Sequence, residues 1–141
     1  MILGGPVQEM AVDECWEKLA GIELGRVVVS VDDEIDIFPV NYVASEGRIF
    51  FRTAPGSKLL KLTINSSVLF EVDASSPAEG WAWSVIIRGK ARNLVSSSEI
   101  LEADTLALTP WIATLKYEYV EITPDQITGR SFVLGPEPER Y

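Results

Sequence analysis

From Trp81 to Leu94 the chain holds a two-residue rhythm that fits an extended strand. Trp81, Trp83, Val85, Ile87, Gly89 and Ala91 fall on one side, and Ala82, Ser84, Ile86, Arg88, Lys90 and Arg92 on the other. Most strands stop after about five or six residues. One this long has to bend around a barrel or cross between two sheets, and Gly89 is the natural place for the bend.

The rest of the chain agrees with an all-β plan. The β-branched run Val27, Val28, Val29 and Val31, a polar turn at Asp32-Asp33-Glu34 and an extended Ile35 to Ala44 read as a hairpin. Ser45-Glu46-Gly47 is a second turn, and Arg48 to Thr53 is a third strand that stops at Ala54-Pro55-Gly56. Val68 to Asp73 and Leu115 to Ile122 are further strands, with Ala74 to Gly80 as a loop and Thr123 to Phe132 as a turn and short extension. Helical spacing predicts short helices over Glu9 to Ala20, Ser57 to Ile64 and Ser96 to Leu106. Strands in antiparallel succession with three short helices argue for a closed or nearly closed barrel, since closure removes exposed edges. A doubly wound α/β fold lacks both its strand-helix alternation and its glycine-rich fingerprint here. The 141 residues fit one domain, with residues 1–8 and 135–141 as tails.

Composition narrows the chemistry. The chain has no histidine, which excludes Ser-His-Asp and Cys-His nucleophiles, histidine proton shuttles and most zinc or haem ligation, so no metal is expected. A net charge of −9 repels nucleic acid and anionic membranes. No run of apolar residues is long enough to cross a bilayer and the start lacks an export pattern, so a cytoplasmic location is expected. Cys15, flanked by acidic and apolar residues, reads as helix packing, and Asp32-Asp33 as solvated turn residues. With side chains this poor in chemistry, any catalysis would have to come from a cofactor that the fold positions.

One stretch suits an anionic cofactor. Arg52 and Thr53 end a strand, and Ser57 and Lys58 open a helix, bringing a guanidinium, two hydroxyls, an ammonium and free helix amides together as a phosphate site would. The same residues also read as a helix cap between ordinary surface charges. Lys61 either assists or stays in solvent. Arg88, Lys90 and Arg92 form a basic stripe that solvent or carboxylates on a neighbouring strand would neutralise.

The strings FPVNY (38 to 42), FRTAPGSK (51 to 58), FEVD (70 to 73), WSVIIRGKA (83 to 91), PW (110 to 111) and ITGR (127 to 130) resemble, in order and spacing, the pyridoxamine 5'-phosphate oxidase-like proteins. That resemblance implies a six-stranded antiparallel split β-barrel with short flanking helices, paired as a homodimer with flavin sites at the interface. By the same resemblance Arg52, Thr53, Ser57 and Lys58 would hold the flavin phosphate, and Pro39, Val40 and Asn41 would lie beside the ring. Trp83 and Ser84 would contribute from the same site or the partner, and Arg130 would reach the cofactor or the interface. Trp83 also reads as core, Pro39 as a bulge marker and Arg130 as a turn cap. The chain is shorter than the classical oxidase and has no histidine, so the vitamin B6 reaction is not carried over. The expectation is an FMN-dependent oxidoreductase acting on a small molecule. The alternatives are the deazaflavin F420 as cofactor, or a module that binds flavin without turnover.

Overall fold

A computed structural model describes residues 5–109, 111 and 118–140. In chain order the elements are β1 (Val7–Glu9), α1 (Val12–Ala20), β2 (Leu24–Val31), β3 (Glu34–Ser45), β4 (Arg48–Thr53), α2 (Ser57–Ile64), β5 (Ser67–Ser76), β6 (Trp81–Asn93), α3 (Ser97–Ala103) and β7 (Glu118–Val133). The strands form one antiparallel sheet in the order β1-β7-β4-β3-β2-β5-β6, and a further β6–β7 pairing closes it. The expected six-stranded barrel is this ring. β1 lies outside it as a seventh strand, pairing Val7–Glu9 with Arg130–Phe132 of β7, where a leading tail was expected.

The long alternating run is β6. Its inward residues Trp83, Val85, Ile87 and Ala91 are buried, and the register shifts between Arg88 and Gly89, where the bend was expected. The last strand differs from the sequence reading. Thr123–Phe132 is no turn: β7 runs unbroken for 16 residues, because β6 supplies a partner almost along its length. By propensity Pro124 and Asp125 are strand breakers, but pairing with β6 absorbs them at the register shift. The expected start of that strand at residues 115–117 lies outside the described residues. β5 extends to Ser76 into the expected loop, leaving a four-residue turn before β6.

Phe51, Phe70, Ile49, Ile87 and Ile122 fill the barrel, and the Tyr42 and Phe70 rings meet edge to face at 5.0 Å. α1 packs against β7 and β3, and α2 against β6 and β2. The Tyr42 hydroxyl donates to the Leu19 carbonyl at 2.6 Å, tying α1 to the barrel. Cys15 is buried, and burial pushes its thiol pKa up, as plain packing requires. Gly129 of the ITGR string allows that packing, since a Cβ there would sit 2.5 Å from the Cys15 sulfur. A smaller core lies on the outer face, where α3 covers it: Leu94, Ala103, Leu108 and Tyr119, with Val43, Phe50 and Ile100 alongside.

Candidate functional site

The β4–α2 corner is built by its backbone. Gly56, at φ 156 and ψ −163, occupies a region open essentially to glycine, which lets the chain turn from strand into helix within three residues. No side chain caps α2. The first intrahelical bond runs from the Leu60 N–H to the Gly56 carbonyl, so the amides of Ser57, Lys58 and Leu59 have no acceptor within the helix. The alternative of Ser57 as a helix cap is not what forms, because Gly56 holds that position. Arg52 projects from β4 with its guanidinium carbon 5.5 Å from the centre of the Tyr119 ring. Ser57 and Lys58 are exposed, and the Lys58 ammonium lies 4.9 Å from the centre of the Phe38 ring. Thr53 is buried and its hydroxyl donates to the Ala54 carbonyl at 3.3 Å. Lys61 neither joins this group nor stays in open solvent. It pairs with Asp36 and, at 3.7 Å, with Glu34, and these bonds hold its pKa up.

β3 runs beside this corner. The β3–β4 pairing ends at Tyr42 and Phe51, so the residues that follow it on each strand, Asn41 and Arg52, both turn to the outer face. Asn41 donates to the Glu23 carbonyl at 3.3 Å and accepts the Trp111 N–H at 2.7 Å. Pro39 is exposed on the same face, while Val40 packs inward against the core. On the outer face the structure therefore sets Pro39 and Asn41 on β3 next to Arg52 on β4, while Ser57 and Lys58 follow at the start of α2, with Lys58 over Phe38 of the inner core. The structure does not bring Trp83, Ser84 and Arg130 to them within one chain. Ser84 pairs with Arg130 near one end of β7, and Arg52 pairs with Tyr119 at the other, roughly 35 Å away along the strand. Trp83 faces the interior and is buried.

Sequence reading missed two charged groups because their partners are distant along the chain. On the outer face Arg26 donates through one nitrogen to Glu71 at 2.8 Å and to Asp73 at 3.3 Å. Burial, first, and then Asp73 push the Glu71 carboxyl up to about 7, against the pull of Arg26. The available signal was the placement of two carboxylates at alternate positions of one strand, Glu71 and Asp73 in FEVD. Under α3, buried Glu121 accepts from Arg48 at 3.2 Å and Arg92 at 3.1 Å, and Arg92 also grips Glu99. The basic stripe is thus neutralised at Arg92 by its cross-strand partner Glu121. Arg48, Phe50, Leu94, Glu99 and Glu121 line a cleft of about 180 Å³ there.

A family model described as pyridoxamine 5'-phosphate oxidase matches residues 11–131. An uncharacterized protein of Mycobacterium tuberculosis is 45% identical over 96 residues, covering 67% of this chain and 86% of that protein. A Corynebacterium glutamicum structure solved as a candidate pyridoxamine 5'-phosphate oxidase is 46% identical, with a TM-score of 0.83 over 95% of this chain and 99% of that one. The structure of an FAD binding protein from Mycobacterium smegmatis is 39% identical, with a TM-score of 0.78 over 89% of this chain and 98% of that one.

Proposed function

We propose that this chain, which belongs to the pyridoxamine 5'-phosphate oxidase family, is a flavin-dependent oxidoreductase acting on a small molecule. The observation that carries the reading is the β4–α2 corner. An arginine at the end of β4 and, at the start of α2, a lysine, a hydroxyl and three helix amides without intrahelical acceptors follow one another along this connection, on a chain whose net charge is −9. That donor set fits a phosphate dianion. Arg52, Ser57 and Lys58 would hold the phosphate, Thr53 would stiffen the strand end, and Pro39, Val40 and Asn41 would border the ring. When bound, the flavin supplies the two-electron chemistry that the side chains lack.

The cofactor is FMN in the first reading. FAD is a second one, favoured by the FAD binding relative at 39% identity. F420 is less well served, because Lys61, a cation available in principle to an acidic tail, is engaged by Asp36 and Glu34.

We read the protein as a cytoplasmic homodimer with no nucleic-acid or membrane partner. Two features support the dimer. Ser84 and Arg130 stand far along β7 from Arg52's partner, where a second copy would supply them to the first. Ile35 and Ile37 are 72% and 63% exposed on the outer face of β3. Among the described residues no helix is long and apolar enough to cross a membrane. The visible spectrum of the purified protein and the mass of its extracted ligand test the reading. A yellow protein releasing FMN or FAD is expected. A colourless protein that takes up neither at micromolar concentration contradicts it.

A further inference from the structure

The FEVD string has no part in the site described so far. Its apolar members Phe70 and Val72 fill the barrel, while Glu71 and Asp73 point outward to Arg26. Pairing registers place this cluster. Arg26 stands opposite Pro39 on β3 and opposite Glu71 on β5, so Pro39, Arg26 and Glu71 form one row across three adjacent strands. Two strand spacings put Glu71 roughly 10 Å from Pro39 on the same face. On the far side, Asp73 pairs with Ser84, and Ser84 with Arg130. Within one chain the carboxylates therefore stand two strands from Pro39, the residue expected to border the ring, with Ser84 beside Asp73 on the next strand.

We propose that Glu71 is the acid–base residue of this site, giving a proton to the molecule reduced beside the Pro39–Asn41 strand. The assignment rests on the flavin reading. Reduction of a carbonyl or quinone adds two electrons with one hydrogen and requires one further proton. A bound reduced flavin would supply the two electrons and the hydrogen, and the Glu71 O–H gives the proton to the substrate oxygen. The O–H bond of Glu71 breaks, its carboxylate is left held by Arg26 at 2.8 Å, and solvent then reprotonates it.

Both forms of Glu71 have a partner. The carboxylate has Arg26, and the acid has Asp73 as acceptor. Asp73 suits the role less well, because its side chain is 49% exposed against 26% for Glu71, and its contact with Arg26 is longer. From β6, Ile86 faces Glu71, Ser84 lies beside Asp73, and Arg88 pairs with Leu69 one position along the same face, so among the described residues the charged groups facing Glu71 from its own and adjacent strands are Arg26, Asp73 and Arg88. A carboxyl poised near neutrality beside an apolar neighbour is the state a general acid needs.

Carboxyl carbon NMR of the flavin-free protein, with Glu71→Gln identifying the signal, should show Glu71 titrating near 7. The midpoint should fall in Asp73→Asn and rise in Arg26→Gln. In the flavin-loaded protein, reoxidation by menadione, which needs a proton, should slow about a hundredfold in Glu71→Gln. In the wild type the same rate should decline as pH rises through the Glu71 midpoint. Reoxidation by ferricyanide, which needs none, should not change, nor should flavin affinity. A Glu71 midpoint below about 5, or equal slowing with both acceptors, overturns the assignment while leaving the flavin reading intact. Failure of the wild type to take up FMN or FAD overturns that reading and this assignment with it.

Discussion

The two faces of the barrel sheet are made by the same strands and obey different physics. Inward, Phe51, Phe70, Ile49, Ile87 and Ile122 are all but fully buried and make no polar contacts. Outward, those strands carry Arg26 with Glu71 and Asp73, Arg48 and Arg92 with Glu121, and the Arg52–Lys58 corner. The interior needs only apolar groups of the right volume, so many sequences could fill it. The exterior depends on which charge stands beside which, and that is where the proposed binding and chemistry lie. Fold and function are thus written on alternate residues.

The contrast can be broken by substitution. The largest effect belongs inside. Phe70→Ala removes a fully buried ring and should cost about 3–5 kcal/mol in urea unfolding, so a loss no greater than that of a surface change would mean the barrel is not packed as described. At the outer corner, Arg52→Ala and Lys58→Ala should each weaken FMN binding by about 1.5–3 kcal/mol in calorimetry, with unfolding midpoints nearly unchanged. A stability loss in place of an affinity loss would move these residues into the structural class.

Glu71 gives a smaller effect with a definite sign. Its carboxyl is raised in the fold from 4.5 to about 7, so the fold favours the protonated form. Its stabilising contribution is complete below 4.5 and is lost as pH rises to about 7. Wild type should therefore lose on the order of 1–2 kcal/mol relative to Glu71→Gln across that window, allowing for solvent screening of its exposed partners. Parallel pH profiles would show that Glu71 titrates normally. The smallest effect sharpens the boundary of the corner: Lys61→Ala, which removes a cation already committed to Asp36 and Glu34, should leave FMN affinity as it was.

Legibility in the sequence follows the same division. Period-two alternation located β6 and its bend at Gly89 because burial on one face is a local signal. The β2–β3 hairpin and the β4–α2 corner were legible for the same reason, since turn chemistry lies within a few residues. β7 was cut short because only its pairing with β6, where Pro124 stands opposite Gly89, 35 residues earlier, keeps that proline within a strand. Arg26 with Glu71 and Arg48 with Glu121 are separated by 45 and 73 residues, and no local rule joins them. The candidate site was legible as a list of residue types. Its division between two ends of β7, and the disengagement of Lys61 from it, needed coordinates.

Riboflavin differs from FMN only by the phosphate, so a calorimetric comparison of the two isolates the β4–α2 corner. FMN should bind the wild-type protein about a hundredfold more tightly than riboflavin, and the gap should collapse in the Arg52→Ala, Lys58→Ala double variant. Equal affinities in the wild type, or a gap that survives the double substitution, would show that the phosphate is seated elsewhere.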